Sequence, residues 1–288
     1  MRIVNPYLGS STAWMKGNLH THTTNSDGPH SPQATIGAYA ELGYDFLMLS
    51  DHDRLTDAAV LDPRGMVLIP GNEITADGPH VLHVGARSLV SPHSDRQRVF
   101  DAIRAQGGFA VCSHPNWEPH FNHCPQKMLM AWTGYTGIEI YNGVVEWLEG
   151  NPCATDRWDQ LLAAGKRVWG FAHDDCHRAE DLGIAWLMLQ SREQTPDGVV
   201  DALRNGRFYA STGVAITSIR VRENHIRVET GAPCRISALS DYGYRRAMAD
   251  GTVIEFEVPP NPRYTYIRVE CAGNYGRMAW TQPFFLDR

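Results

Sequence analysis

Residues 18–53 of the chain read NLHTHTTNSDGPHSPQATIGAYAELGYDFLMLSDHD, and this stretch places many metal-type ligands around one short segment. His20 and His22 stand two positions apart, so on an extended strand both imidazoles point to the same side. Asp27 follows in a Ser-Asp-Gly turn, and the stretch closes on an Asp-His-Asp sequence at residues 51–53. Imidazoles and carboxylates gathered at strand ends are the ligands that a metallohydrolase site requires.

The middle of this stretch predicts a helix followed by a buried strand. Ser31 and Pro32 are typical of a helix start, since serine caps free backbone N–H groups and proline fits the first turn. Gly43 marks the end of the helix, because glycine readily takes the left-handed conformation found there. The apolar run 46–50 then fits a buried strand. Strand, helix and strand in this order form the repeating unit of an α/β fold.

The same alternation continues along most of the chain and then stops. Apolar runs and amphipathic segments alternate as far as about residue 212, which predicts an α/β fold with a largely parallel sheet or barrel. From residue 213 onward, short runs such as ITSIRVRE and TVIEFEVP are separated by Gly, Asn, Asp and Pro. Such runs are typical of antiparallel β structure. We therefore expect one domain over residues 1–212 and a β-rich unit over residues 213–288 packed on it.

Composition restricts the class of protein and its partners. With 43% hydrophobic and 20% charged residues, the 288-residue chain resembles ordinary globular proteins. A net charge of -6 gives no basic footprint, so no nucleic-acid partner is expected. No apolar run reaches the roughly 18 residues of a membrane span, and no signal peptide is visible. The 6 widely spaced cysteines form no CxxC pair, which favours free thiols in the cytoplasm, with an exported and trimmed chain as the alternative.

Residues that can bind a metal recur at one place in the pattern, which is the carboxyl end of a predicted strand or the strand itself. They are His20, His22, His52, Glu73, His83, His114, Asp175 and His177. Taken singly, each has an ordinary explanation, because an Asp-His-Asp sequence can cap a helix and Ser-Asp-Gly can be a plain turn. In an α/β barrel, however, the carboxyl ends of the strands meet on the face that carries the chemistry. Their joint occurrence therefore predicts one metal site.

These motifs resemble those of the polymerase-and-histidinol-phosphatase (PHP) family of metal-dependent phosphoesterases. The matching segments, within residues 14–212, are His20-Thr21-His22, Ser26-Asp27-Gly28, Ser50-Asp51-His52, Gly71-Asn72-Glu73, Ser113-His114-Pro115 and Asp175-Cys176-His177. The resemblance implies a distorted (β/α)7 barrel, similar to a TIM barrel, with a small C-terminal antiparallel β unit. The later segments GRFYASTGVAI and AWTQPFFL are similar to a subgroup that includes carbamate-hydrolysing metalloenzymes.

The resemblance also implies two or three divalent metal ions and their ligands. A first metal would take His20, His22, Glu73 and Asp175. A second would share Glu73 and take His83 and His114, and a third would take Asp27, His52 and His177. Nitrogen and oxygen ligands without thiolate suit Mn, Zn or Fe.

Two of these positions keep an alternative. Asp174 directly precedes Asp175 and competes with it, although the Asp-x-His spacing favours Asp175. His80 competes with His83, and the run HVLHVG places His83 deeper among apolar residues.

Further residues are candidates for contact with the substrate. A metal-bridging hydroxide would serve as the nucleophile, so no serine or cysteine nucleophile is required. Arg54 and Arg178 follow ligand motifs and are candidates to clamp a phosphate. His173 could protonate a leaving group or support Asp175. Glu139, at the end of a predicted strand, could position a substrate or support a ligand.

The expected function is hydrolysis of a small phosphoester, either a monoester or a diester. Carbamate or amide hydrolysis is the alternative, because the same hydroxide can attack a carbonyl carbon and the fold alone does not decide. A metal-stabilised binding module without turnover is a third possibility. The substrate, the native metal and the oligomeric state are left open by the sequence.

Overall fold

The computed structural model describes residues 1–8 and 13–287. Its α-helices are α1 (Pro32–Glu41), α2 (Arg96–Ala105), α3 (Gln126–Ala131), α4 (Thr155–Ala163) and α5 (Pro196–Arg204). Its strands are β1 (Arg2–Val4), β2 (Met15–Asn18), β3 (Phe46–Met48), β4 (Val67–Ile69), β5 (Gly71–Ile74), β6 (Val81–Val84), β7 (Phe109–Cys112), β8 (Gly137–Asn142), β9 (Trp169–His173), β10 (Trp186–Leu189), β11 (Phe208–Ser211), β12 (Ile216–Arg222), β13 (His225–Ser240), β14 (Tyr244–Glu257), β15 (Tyr266–Ala272), β16 (Met278–Thr281) and β17 (Phe284–Asp287).

The strands form two sheets in a mixed α/β fold. A 12-stranded sheet runs in the order β1-β17-β15-β16-β11-β10-β2-β3-β4, with β13 beside β15, and β12 and β14 beside β13. A 5-stranded sheet runs in the order β5-β6-β7-β8-β9. The neighbours β2, β3 and β4 are parallel, as are β7, β8 and β9. The ends of strands in these two parallel groups are followed by most of the predicted ligands, which are His20, His22, His52, His114, Asp175 and His177.

The predicted (β/α)7 barrel is not confirmed. In the described part of the chain the two sheets are paired only through isolated β-bridges, Thr21 to Cys176 and His52 to Glu73, so the strands do not form one continuous closed sheet. The reason is local: β5, β6 and β7 are antiparallel. Only residues 75–80 separate β5 from β6, which is too short for the crossover that a parallel pair needs.

Strand β5 is an element that the sequence pattern did not reveal, because its four residues follow β4 after a single proline. Gly71 makes its position possible. A Cβ atom there would lie 2.1 Å from the sulfur of Met48 and 2.6 Å from the carbonyl oxygen of His83. Strand β5 therefore packs closely against its neighbours and carries Glu73 into the space between the two sheets.

Two helix starts are capped by side-chain hydroxyls, and the first of them is the cap predicted at Ser31. The hydroxyl of Ser31 accepts a hydrogen bond from the backbone N–H of Ala34, and Thr195 accepts one from Gly198. Pro32 and Pro196 each occupy the first turn that follows. Among the described residues, none of the helices combines the length and the apolar character that a membrane crossing demands.

The C-terminal strands are antiparallel throughout, as the alternating runs predicted. Their buried face forms its own apolar cluster, which includes Ile226, Val228 and Ile236. Strand β16 pairs with β11, so one sheet continues across the predicted boundary at residue 212. Strand β1, at the opposite end of the chain, pairs with β17. The division into residues 1–212 and 213–288 stays a prediction.

Candidate metal centre

Eight of the predicted ligands lie together where the two sheets meet. They are His20, His22, Asp27, His52, Glu73, His114, Asp175 and His177, and His80 joins them. These residues are spread over more than half of the chain. They are brought together by strands β2 and β9 and by the bridges that extend β3 and β5. The convergence of side chains on strand ends is the arrangement that the sequence pattern predicted.

Glu73 occupies the middle of the cluster and is fully buried. Its carboxylate oxygens lie 3.2 Å from Nε2 of His20 and 3.0 Å from Nδ1 of His52. They also lie 3.4 Å from Nδ1 of His80 and 3.4 Å from Nε2 of His114. One carboxylate therefore faces five imidazoles, since Nε2 of His22 also lies 3.7 Å away. Such a position would suit a group shared between neighbouring metal ions.

Asp175 lies in the cluster and Asp174 lies outside it. Oδ1 of Asp175 is 3.1 Å from Nε2 of both His20 and His22. Asp174 instead accepts hydrogen bonds from the Tyr39 hydroxyl at 2.9 Å and from backbone N–H groups. The two carboxylates thus lie in different surroundings, and of the two only Asp175 lies beside the imidazoles. Of the two alternatives, the geometry favours Asp175.

Two of the ligand candidates have unusual backbone geometry. His114 has φ of 26° and Asp175 has φ of 55°, in the left-handed region that residues other than glycine rarely adopt. Such conformations cost free energy and concentrate at functional sites.

Asp27, His52 and His177 form the outer edge of the cluster. Asp27 lies 3.3 Å from Nε2 of His52 and 3.5 Å from Nε2 of His177, and about half of its side chain is exposed. The loop that carries it depends on Gly28, because a Cβ atom there would lie 2.2 Å from the carbonyl group of His22. This close approach is the physical reason for glycine in the Ser-Asp-Gly motif.

The structure corrects the choice between His80 and His83. His80, directly before β6, faces Glu73 and His114. Glu73 pairs with Leu82 and His83 pairs with Asn72, so His83 lies on the other face of β6. Residues three apart on a strand point to opposite faces, so both cannot enter the site. Both ring nitrogens of His83 are buried without a hydrogen-bond partner among the described residues, and burial lowers its pKa to about 4. The apolar surroundings that favoured His83 in the sequence are those of a core position.

This correction gives a paired prediction. His80→Gln should lower metal affinity at least about tenfold, because it removes an imidazole that faces Glu73. His83→Gln should leave the number of metal ions bound per chain unchanged. Equilibrium dialysis followed by elemental analysis measures both variants. Loss of metal in His83→Gln but not in His80→Gln would contradict the assignment.

The buried polar atoms of the cluster fit a set of metal ions. Nε2 of His20, Nε2 of His22, both carboxylate oxygens of Glu73 and Oδ1 of Asp175 are buried without a hydrogen bond in the described structure. Buried polar atoms are normally paired, and a shared cation satisfies nitrogen and oxygen atoms at once. The donor set contains imidazole and carboxylate but no thiolate, which suits Mn, Zn or Fe.

The electrostatics of the cluster favour positive charge. Although burial by itself raises the pKa of Glu73, His20 and His80 hold it well below its usual range. Burial opposes the charged form of His52, yet Asp27 and Glu73 raise its pKa to about 10. Glu73 thus remains ionised, and the carboxylates raise the pKa of His20 and of His52 against the effect of burial, whereas burial lowers the pKa of His22. A divalent cation would supply the same positive charge.

Glu139 lies behind the cluster and supports its ligands. The prediction that it positions a substrate is therefore corrected. It is buried, and Oε1 lies 2.7 Å from Nδ1 of His20 and 2.7 Å from Nδ1 of His173. Oε2 accepts hydrogen bonds from the backbone N–H of His114 at 2.7 Å and from Asn142 at 2.8 Å. A carboxylate on Nδ1 fixes the ring so that Nε2 faces the centre. Of its two predicted roles, Glu139 has the position for supporting a ligand.

The prediction that His173 donates a proton to the leaving group is also corrected. Its side chain is fully buried beside Glu139 and does not line the cavity over the cluster. Burial lowers its pKa below the usual value, against the effect of Glu139. A residue enclosed in this way cannot reach a substrate, so His173 belongs to the supporting layer.

Several supporting residues were missed in the sequence. Asn142 donates a hydrogen bond to Asp175 at 3.1 Å, and Nε2 of His123 accepts one from the backbone of His80 at 2.9 Å. Asp51 accepts hydrogen bonds from Thr23, Ser26 and Thr56, which holds the loop before Asp27. Asp51 was part of a recognised motif. His123 lies in a long polar loop, and the loop's sequence did not indicate which of its side chains would support the cluster.

A cavity of about 390 Å³ opens over the cluster. The metal-type ligands line one side, and Trp117, Val144, Val145, Trp147 and Leu148 line the other. Arg178 lies at the cavity, as the sequence suggested. Arg54 does not line it and is exposed, because the chain turns away at Asp53, where φ is 49°. The prediction that Arg54 clamps a phosphate is therefore corrected.

Comparison with known proteins confirms the resemblance to the PHP family. The family model PHP_C, described as PHP-associated, matches residues 168–208, which include Asp175 and His177. A two-domain protein from Bacteroides vulgatus, described as containing a predicted PHP-like metal-dependent phosphoesterase, has 16% identity and a TM-score of 0.55. The match covers 94% of each chain. At this identity the likeness shows a shared fold.

Two further solved structures are similar at a lower level. PsfC from Pseudomonas syringae has 14% identity and a TM-score of 0.48, over 67% of this chain and 88% of its own. An amidohydrolase from Chromobacterium violaceum has 15% identity and a TM-score of 0.44, over 57% of this chain and 89% of its own. Both likenesses are too weak to carry an argument. No curated protein matches the sequence.

Proposed function

We propose that this protein is a metal-dependent hydrolase of small phosphoesters. The observation that carries the proposal is the set of buried imidazole and carboxylate atoms without hydrogen-bond partners at the floor of the cavity. A cavity of this size suits a small molecule, since small-molecule sites span roughly 300–1,000 Å³. The likeness in fold to a protein described as PHP-like supports the same reading.

Two or three divalent ions, Mn, Zn or Fe, would be held by three groups of residues. The first group is His20, His22, Glu73 and Asp175, the second is Glu73, His80 and His114, and the third is Asp27, His52 and His177. When bound, such ions activate water at neutral pH and neutralise the charge of a phosphoester.

The protein's own residues prepare the site for that chemistry. Glu139 holds the ring of His20, and Asn142 holds Asp175, so the ligating atoms are fixed before a substrate enters. Preorganised groups lower the cost of reaching the transition state, because they need not reorient during reaction. At the mouth, the guanidinium of Arg178 offers positive charge to an approaching anion. The apolar wall opposite the ligands displaces water from the bound substrate.

Hydrolysis of a carbamate or amide is the second candidate. The observation that favours it is the low cationic charge of the cavity: among the described residues that line it, Arg178 is the one Lys or Arg. That guanidinium lies 2.7 Å from the carboxylate of Asp181, which neutralises part of its charge. An uncharged carbonyl substrate needs less cationic support than a phosphate does.

A substrate screen decides between these functions. The enzyme loaded with Mn or with Zn is tested against phosphomonoesters, phosphodiesters and aryl carbamates. We expect the highest kcat/KM with a phosphoester. A carbamate rate far above the phosphate rates would replace the first proposal by the second. Absence of turnover for every class, with metal fully bound, would favour a binding module.

The supporting carboxylate provides a further prediction. Glu139→Gln removes the charge that fixes the rings of His20 and His173 and should lower metal affinity by about 10–100-fold. Competition with a fluorescent chelator measures the affinity. The exposed variant Glu255→Gln serves as the control and should bind metal as the unaltered protein does. An affinity for Glu139→Gln within about twofold of the control would show that the carboxylate does not support the ligands.

A further inference from the structure

The wall of the cavity opposite the metal-type ligands is apolar and open to solvent at its outer end. Val144 and Val145 are buried, whereas Trp147 and Leu148 have 59% and 47% of their surfaces exposed. Single exposed apolar residues are common in proteins. Two large neighbouring ones at the mouth of a cavity are typical of a binding surface. The exposed pair therefore indicates that something apolar covers this part of the wall.

The ring of Trp147 is held in place before any ligand binds. The guanidinium carbon of Arg178 lies 5.5 Å from the centre of this ring, a cation–π contact. Arg178 is itself fixed by the buried carboxylate of Asp181, which lies 2.7 Å from one of its nitrogens. Asp181 also accepts hydrogen bonds from the backbone N–H groups of His177 and Arg178. A surface fixed in this way loses little freedom when a ligand binds.

The inner end of the wall adjoins the ligand cluster. The Trp117 ring stands edge-on to the ring of His114, with centroids 5.0 Å apart. A molecule whose reacting group faces Glu73 would therefore have its remaining atoms beside tryptophan. The charge of the lining agrees with this, because its one guanidinium is already paired with Asp181. A second anionic group on the substrate would find no unpaired Lys or Arg side chain among the described residues that line the cavity.

We propose that the substrate carries a compact apolar group, preferably an aromatic ring, next to the bond that is hydrolysed, and that this group packs against Trp147 and Trp117. This inference rests on the proposed function and narrows its substrate class. Polyanionic metabolites and esters of polyhydroxylated alcohols are excluded by the same wall. The cavity volume of about 390 Å³ limits the apolar group to a small one.

Binding of two stable phosphonates tests this inference without requiring turnover. Isothermal titration calorimetry compares phenylphosphonate with 2,3-dihydroxypropylphosphonate on the metal-loaded protein. We expect phenylphosphonate to bind about tenfold more tightly, as expected for burial of one aromatic ring against tryptophan. In Trp147→Ala this preference should fall to less than about threefold, and Trp147→Phe should restore most of it. Tyr242→Ala, at another exposed aromatic residue that does not line the cavity, should keep the full preference.

The possible results separate this inference from the proposed function. Equal affinities of the two phosphonates for the unaltered protein would overturn the inference of an apolar substrate group. A preference for phenylphosphonate that Trp147→Ala leaves intact would do the same. Either result would leave the proposal of phosphoester hydrolysis in place. If neither phosphonate binds, the phosphoester proposal fails. In that case the rates of hydrolysis of O-phenyl carbamate and O-(2,3-dihydroxypropyl) carbamate are compared. If the phenyl compound is not preferred, the inference of an apolar substrate group is overturned as well. Circular dichroism of Trp147→Ala verifies folding, which a partly exposed position should preserve.

Discussion

Glu73→Gln should reduce metal affinity and metal-dependent turnover by at least about 100-fold, since altering even the residues behind a metal ligand typically costs 10–100-fold. Glu73 faces five imidazoles and is placed to serve two of the proposed metal positions. Glutamine keeps the shape of the side chain but loses the charge and one acceptor oxygen. Metal content by elemental analysis and kcat/KM on a phosphoester, both on the same preparation, measure the effect.

Glu149→Gln is the matched control, because it makes the same chemical change at an exposed position outside the cavity. It should retain full metal content and turnover. Circular dichroism establishes that Glu73→Gln is folded, so that lost activity is not lost structure. Normal metal content and turnover in folded Glu73→Gln would show that the central carboxylate is not a ligand.

Arg268→Met should lower the free energy of unfolding by about 3–5 kcal/mol, because it leaves a buried carboxylate unpaired. Arg268 is 2% exposed and Asp159 is 6% exposed. Two guanidinium nitrogens of Arg268 donate hydrogen bonds to Asp159 at 2.8 and 2.7 Å, and the hydroxyl of Tyr266 donates another at 2.8 Å. This network joins helix α4 to strand β15. Urea denaturation of the metal-loaded protein measures the loss.

Two further variants determine whether the effect comes from the unpaired charge. Arg235→Met breaks the exposed ion pair with Asp250, in which both side chains are more than half exposed, and should cost at most about 1 kcal/mol. The double variant Asp159→Leu with Arg268→Met removes both charges and should be more stable than Arg268→Met alone. A loss below about 1 kcal/mol for Arg268→Met would show that the buried pair contributes little.

The sequence predicted the positions of the candidate ligands well where a motif follows a regular strand. His20 and His22 lie at the end of β2, His52 follows β3, and Asp175 and His177 follow β9. Each of these strands is an apolar run with a polar sequence directly after it, so the side chains that leave the strand end could be identified. Their meeting in space follows from the parallel arrangement of neighbouring strands.

The errors arise where a strand is short or its face is ambiguous. Strand β5 follows β4 after one proline, so the pattern merged the two and placed Glu73 in a loop. Around β6 the choice between His80, directly before the strand, and His83, within it, depended on which face is the core. An apolar run that is buried on both sides does not reveal this. The antiparallel pairing of β5 and β6 is also a difference between the structure and the predicted barrel, in which neighbouring strands are parallel.

Residues that act through others were hardest to predict. The hydrogen bonds of Glu139 reach His20, 119 positions away in the chain, and the bonds of Arg268 reach Asp159, 109 positions away. No local pattern records such distant partners, because they depend on how the sheets are packed. For the same reason Arg54 and Arg178, which follow similar motifs, differ in the structure: one is exposed away from the cavity and the other lines it.

The most direct test of a metal-dependent hydrolase is turnover of an aryl phosphate by protein that has been stripped with a chelator and then titrated with Mn or Zn, with bound metal measured in each sample. We predict no turnover in the stripped protein and recovery that rises with metal content to two or three ions per chain. Undiminished turnover in protein that contains no metal would contradict the proposed function.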